Sequence, residues 1–158
     1  MPTPTTTVPF QAVLDAHGSA LHRHLVGVLG PHDGADAYQE TLLAALRAWP
    51  PRHDGNLRAW LFTVAHRKVI DHARARDRRP VPVGSVPEHG SSGGIGAGPD
   101  LDLWAVVRSL PDKQRAAVAL RHGDDWSYAD IAAVLGISEA AVRQNVTAGL
   151  DRLREVLT

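Results

Sequence analysis

Residues Trp126 to Leu157 read WSYADIAAVLGISEAAVRQNVTAGLDRLREVL, and the reading of this stretch decides the fold. Ser127 is a preferred N-cap residue, and Asp130 three positions on completes a capping-box pattern. Trp126 and Ile131 fall at the staple positions on either side of that cap. Tyr128, Ile131, Ala132 and Leu135 repeat at helical spacing, and Gly136 stands where a helix end must turn left-handed. Ile137 and Ser138 restart the pattern as staple and cap. Val142, Val146, Leu150, Leu153 and Leu157 then form one apolar stripe.

A short helix, a glycine turn and a second capped helix is the helix-turn-helix pattern, in which the start of the second helix meets base edges in the major groove. The exposed residues there are expected to be Glu139, Ala140, Arg143, Gln144 and Asn145. Gln and Asn can pair bidentately with adenine, and Arg with guanine. A plain helical hairpin with a solvated polar face is the other account. Two caps and a single glycine fix the turn more tightly than a hairpin needs, which favours DNA.

Working outward, the 158 residues hold 44% hydrophobic side chains, enough for one domain or two small helical ones. The absence of cysteine excludes disulfides and thiolate metal sites. No apolar run approaches membrane-spanning length, and residues 1–15 lack the basic start and apolar core of a signal peptide, so no membrane insertion and a cytoplasmic location are expected. The net charge of zero hides an uneven distribution: −2 over residues 1–56, +5 over 57–80, −2 over 81–100 and −1 over 101–158. The basic segment is the natural place for phosphate contacts.

The chain organises as an all-α protein of two small helical domains, residues 1–80 and 101–158, joined by a flexible Gly/Ser/Pro-rich linker at 81–100. Met1 to Pro9 reads as a loose tail. A first helix carries Phe10, Val13, Leu14, Leu21, Leu25 and Val28, with Gly30-Pro31 as its stop and His32-Asp33-Gly34 as a turn. A second is expected from about Ala35 to Trp49, with Tyr38, Leu42, Ala45, Leu46 and Trp49 inward, ended by Pro50-Pro51. Asn56 caps a third that runs to about Arg78. Its inner face is Leu57, Leu61, Val64, Ala65 and Val69, and its outer face bears Arg58, Arg67, Lys68, Arg74 and Arg78, interrupted by Trp60 and Phe62. Partial burial is expected of Trp60. Asp100 caps a fourth helix, and Pro111 opens a fifth that reaches about Arg121.

Two separated blocks carry a family resemblance. The first is Asp36-Ala37-Tyr38-Gln39-Glu40-Thr41-Leu42-Leu43 with Arg58-Ala59-Trp60-Leu61-Phe62-Thr63-Val64-Ala65 and Asp71-His72. The second is Leu110-Pro111-Asp112-Lys113-Gln114-Arg115 with Leu120-Arg121, Ser127 to Ala132 and Leu135 to Glu139. In this order, with a flexible spacer between, they resemble regions 2 and 4 of an extracytoplasmic-function (ECF) sigma factor of bacterial RNA polymerase. The resemblance implies a non-enzymatic specificity subunit that binds core RNA polymerase and directs promoter recognition and transcription initiation. It implies no cofactor and no metal. It places Asp36, Gln39, Glu40 and Thr41 on the polymerase-docking surface. Arg52, His53 and Asn56 fall in the loop that receives a flipped non-template base, and Arg58, Trp60, Arg67, Lys68 and Arg74 hold the melted strand of the minus-ten element. Ser138, Arg143, Gln144 and Asn145 face the duplex upstream element. An anti-sigma partner is expected, as the family often has one.

The chain departs from the family pattern in places. Family members usually carry Asn at the position of Arg67 and large aromatics at those of Leu42 and Leu46. The recognition helix is poor in basic residues: after Arg143 it runs Gln144 to Leu150 without one, and Gly149 weakens a helix interior by about 1 kcal/mol against Ala. Two non-enzymatic alternatives therefore stay open, a sigma-like module that binds polymerase without initiating and a conventional helix-turn-helix regulator. A metal enzyme is disfavoured, since no two of the nine histidines lie three or four apart on one helix face.

Overall fold

The computed structural model describes residues 8–52, 55–78 and 99–157, the side chains of 99–102 excepted. His53, residues 81–98 of the linker and most of the N-terminal tail lie outside the described residues; Asp100, expected as the cap of the fourth helix, is already inside that helix, which begins at Pro99. Among the described residues there is no strand. These residues form seven α-helices: α1 (Phe10–Leu29), α2 (Pro31–Arg47), α3 (Leu57–Arg78), α4 (Pro99–Arg108), α5 (Asp112–Val118), α6 (Tyr128–Leu135) and α7 (Glu139–Leu157). A π-helical turn, Ala119–Gly123, prolongs α5.

In the first half α1 lies against both α2 and α3. Leu21, Leu25 and Val28 of α1, Ala37 and Ala45 of α2, and Leu61, Ala65 and Val69 of α3 are buried together. Each large aliphatic among them contributes about 1.5–3 kcal/mol on leaving water. The α2 start differs from expectation. Gly30-Pro31 does not merely stop α1: Gly30 takes φ 90° and Pro31 is already in α2. Proline suits a first helical turn because its missing N–H would have no intrahelical acceptor there. Gly34 is therefore a helical residue, and a Cβ on it would stand 2.5 Å from the Val26 Cα, so glycine is what lets α2 close onto α1. The third helix is capped as its sequence indicates, with the Ala59 N–H donating to Asn56 Oδ1 at 3.0 Å.

In the second half α5 and α7 pack side by side. Val107, Leu110, Val118 and Leu153 form a small cluster that anchors α4 to them. Both helix-turn-helix caps form: Ser127 Oγ accepts from Asp130 N at 3.1 Å and Ser138 Oγ from Ala141 N at 3.0 Å. Gly136 takes φ 69°, and the Gly136 and Ile137 N–H groups both donate to Ala132 O.

The two halves share one core. The buried set of α1–α3 continues without a break through Ala117, Leu120, Trp126, Ile131, Val142 and Val146. This corrects the placement of Phe62 on an exposed basic face. Phe62 is 1% exposed, with its ring 4.8 Å from that of Trp126, because the second half covers it. Leu46, expected inward, is 55% exposed, and the inner row of α2 runs through Ala37, Thr41 and Ala45.

Candidate docking and nucleic-acid surfaces

Helical spacing puts Asp36, Gln39, Glu40, Leu43 and Leu46 in one exposed row on α2. The acids are partly engaged. His32 Nε2 lies 3.7 Å from Asp36 Oδ2, and His72 of α3 meets Glu40 at 3.1 Å. Thr41 leaves this surface: it is fully buried, and its hydroxyl donates to Ala37 O at 2.6 Å, so it presents nothing to a partner. Leu46 was expected inward, and Leu43 was given no role of its own in the sequence. Their apolar character suggested core, and only the orientation of α2 shows them outward. His32, Asp33 and Asp36 approach one another within 4.8 Å, but Arg76 already supplies a cation to Asp33 at 3.2 Å.

On α3 the expected strand-holding residues divide. Arg67 and Arg74 are exposed and, like Lys68 and Arg78, have no ion-pair partner among the described residues. Spacing of seven and four residues puts Arg67, Arg74 and Arg78 on one stripe. Trp60 is half-buried, its ring 5.8 Å from that of Trp49, which in turn meets Phe10 at 5.5 Å. Arg52 and Asn56 are exposed at the approach to α3, although one oxygen of Asn56 is committed to its cap. Arg58 is taken by the other half: its guanidinium lies 4.0 Å above the Trp126 ring, and Nη2 is 3.4 Å from Asp130 Oδ2.

At the helix-turn-helix, Arg143 and Gln144 are exposed near the start of α7. Arg143 is steadied by Glu139 at 3.7 Å and by the Tyr128 ring at 5.0 Å, and Arg121 lies over the same ring at 4.1 Å. Asn145 is half-buried and its amide donates to Ala141 O at 2.8 Å, which turns it away from the face that Arg143 and Gln144 present. Ser138 is committed to its cap. Gly149 also has a structural reason. A Cβ there would stand 2.6 Å from Val118 Cγ2, so the glycine permits the α5–α7 contact.

Between the halves sit imidazoles that burial keeps neutral. His24 is lowered to about 4 by desolvation, with the charge of His66 adding to the effect. His66 is lowered by burial and by Arg115, against the pull of Asp112. The His24 Nδ1 lies 3.9 Å from Asp124 Oδ2, too far for a hydrogen bond, and a neutral ring makes no ion pair across that gap. Burial raises the Asp124 carboxyl.

Residues 13–79 match the family described as Sigma-70 region 2, and residues 100–153 that described as Sigma-70, region 4. The ECF RNA polymerase sigma factor SigL of Mycobacterium tuberculosis is 35% identical over 159 aligned positions, which cover 93% of this chain and 88% of that protein. The RNA polymerase sigma-E factor of Streptomyces coelicolor is 33% identical, over 80% of this chain and 73% of its own. Among solved structures, the sigma factor RpoE from Bartonella quintana, in complex with the anti-sigma factor NepR, superposes with a TM-score of 0.73 at 25% identity, covering 94% of this chain and 96% of that one. Both halves of the fold and nearly the whole length are thus accounted for together, and the chain belongs to the ECF family of RNA polymerase sigma factors, as an alternative sigma factor that directs transcription initiation.

Proposed function

We propose that this sigma factor divides its task among three surfaces. The exposed row Asp36, Gln39 and Glu40 of α2, extended by Leu43 and Leu46, docks on core RNA polymerase. The loop of Arg52, His53 and Asn56, the exposed stripe that bears Arg67 and Arg74, and the neighbouring Lys68 hold the melted non-template strand at the minus-ten element, with Trp60 beside them. Arg143 and Gln144 at the start of α7 meet the duplex upstream element. The linking segment 81–100 allows the halves, 1–80 and 101–158, to reach both elements at once. The observation that supports this most is the outward stripe of α3, whose cations lack partners among the described residues. Unpaired cations beside an aromatic are what single-stranded DNA needs, and a flipped base that costs a few kcal/mol, roughly, must be received snugly. The protein works in the cytoplasm as a non-enzymatic subunit; no described helix is long and apolar enough to cross a membrane. As its relative from Bartonella quintana was solved with an anti-sigma factor, an anti-sigma partner is proposed here too.

Run-off transcription with purified core polymerase on a library of upstream sequences tests the reading. A defined two-part motif is expected. Arg67→Glu with Arg74→Glu is expected to abolish the transcript while leaving core binding intact, and Gln144→Ala to relax the motif at one upstream position. A second reading, polymerase binding without initiation, is favoured by the inward turn of Asn145 and the net −1 of residues 101–158. Core binding with no transcript from any template would establish it.

A further inference from the structure

A carboxylate on a docking face binds best when it is already aimed, because a free glutamate gives up its side-chain rotamers on binding. The exposed row of α2 carries two acids, and they are held differently. The His32 ring is 91% exposed and stands 3.7 Å from Asp36 Oδ2, beyond hydrogen-bond reach, so Asp36 is held only loosely. Glu40 meets an imidazole from α3 that is only 18% exposed: His72 Nε2 lies 3.1 Å from Glu40 Oε2. A carboxylate accepts and does not donate, so Nε2 carries the hydrogen. The second oxygen, Oε1, has no partner among the described residues. We propose that His72 is a positioning residue for polymerase docking: it fixes the Glu40 carboxylate in one direction and leaves Oε1 to a donor on core polymerase. This rests on the reading that Glu40 docks there.

The pair is not what joins α3 to α2. Ala37 and Ala45 of α2 are buried with Leu61, Ala65 and Val69 of α3, and Arg76, one turn beyond His72, already ties Asp33 at 3.2 Å. A partly exposed ion pair added to these contacts contributes little stability. What it does change is the freedom of one side chain on the exposed row. The backbone under that side chain is already fixed, because the next residue, Thr41, is fully buried and donates its hydroxyl to Ala37 O at 2.6 Å. Main chain and carboxylate are then both set before any partner arrives, which is what a preorganised contact on a rigid element needs. Helical spacing carries His72 to the side of α3 that faces α2, well round the helix from Arg67, Arg74 and Arg78. Its role is thereby separate from the strand-holding stripe of the same helix.

A double-mutant cycle in the full chain tests this, read as affinity for purified core polymerase by fluorescence anisotropy of the chain labelled at its N-terminus. His72→Ala is expected to weaken core binding about 2- to 12-fold, the cost of ordering one long side chain. His72→Gln, whose amide can donate to the same carboxylate oxygen, is expected to recover most of that loss. Glu40→Ala is expected to weaken binding at least as much as His72→Ala, and adding His72→Ala to it is expected to cost nothing more. The urea midpoint of His72→Ala is expected to stay close to that of the wild type, which separates positioning from a general loss of structure. The proposal is overturned if His72→Ala weakens binding equally with and without Glu40, as a structural or directly contacting histidine would. It is also overturned if His72→Gln binds as weakly as His72→Ala, or if Glu40→Ala weakens binding while His72→Ala does not. Wild-type affinity in Glu40→Ala would strike the docking reading of that residue itself, and the proposal with it.

Discussion

At the scale of single residues, the clearest physical signal is a buried imidazole whose Nδ1 has no hydrogen-bond partner among the described residues. His24 is buried against Phe62 at a ring separation of 5.5 Å, and its Nδ1 is unsatisfied among the described residues. Its lowering from 6.5 to about 4 means that between those pH values the unfolded chain binds a proton that the folded chain refuses. Stability therefore rises with pH across this window. It is lost as pH falls from about 6.5 toward 4, by roughly 3 kcal/mol at full extent. His66, also lowered, acts in the same direction. Asp124 has its carboxyl raised and acts oppositely, gaining stability as it protonates at the acid end. The His24 share is isolated by difference: His24→Leu is expected to flatten the urea-unfolding stability between pH 6.5 and 4 relative to wild type. An unchanged slope would show that His24 keeps its proton in the fold. The position of His24 in chain order discloses none of this, because its desolvation comes from α3 and from the second half together.

At the scale of elements, what the sequence disclosed was the chemistry that acts over three or four residues. The caps at Asn56, Ser127 and Ser138 and the left-handed Gly136 are i to i+3 or i+4 events, complete within the local stretch. The start of α2 was not legible. Proline ends one helix and opens the next with equal ease, and only the close approach of Gly34 to Val26 decides between them. The inner and outer faces of α2 were blurred for a related reason. Its buried row is made of the small residues Ala37, Thr41 and Ala45, and the leucines were left to the outside. Of the site, the charged residues of α3 were legible as a basic stripe, whereas the withdrawal of Thr41, Asn145 and Arg58 depends on contacts that spacing does not carry. Gly149 shows how an element-level reading reverses. Helix propensity alone assigns Gly149→Ala a gain of about 1 kcal/mol. The new Cβ would stand 2.6 Å from Val118 Cγ2 and overpack the α5–α7 contact, which costs typically about 1–3 kcal/mol. Gly149→Ala is therefore expected to lower the urea midpoint of unfolding, and a raised midpoint would show that α7 slides to make room.

At the scale of the whole molecule, two halves matched by two separate families share a single apolar core. Phe62, Trp126 and Ile131 are each nearly or wholly removed from water, yet Phe62 belongs to one half and the other two to the second. Neither half alone keeps these side chains dry, so unfolding either one exposes the apolar face of the other. Such coupling makes small domains unfold together, and it raises the dependence on denaturant, which follows the surface exposed in a single step. In urea the full chain is expected to lose far-ultraviolet circular dichroism and tryptophan fluorescence at one midpoint, with Trp126 reporting the seam. Gly27→Leu forces Trp104 off α1, and is expected to separate the two curves and reduce the slope of each. Two well-separated transitions in the wild-type chain would mean that the seam contributes too little to join the halves. A single transition persisting in Gly27→Leu would mean that Trp126 and the Arg58–Asp130 pair suffice to couple them without Trp104. The first result would remove the energetic basis for joining the halves, and the second would place that basis in the rest of the shared core, around Phe62, Trp126 and Ile131, and not at Trp104.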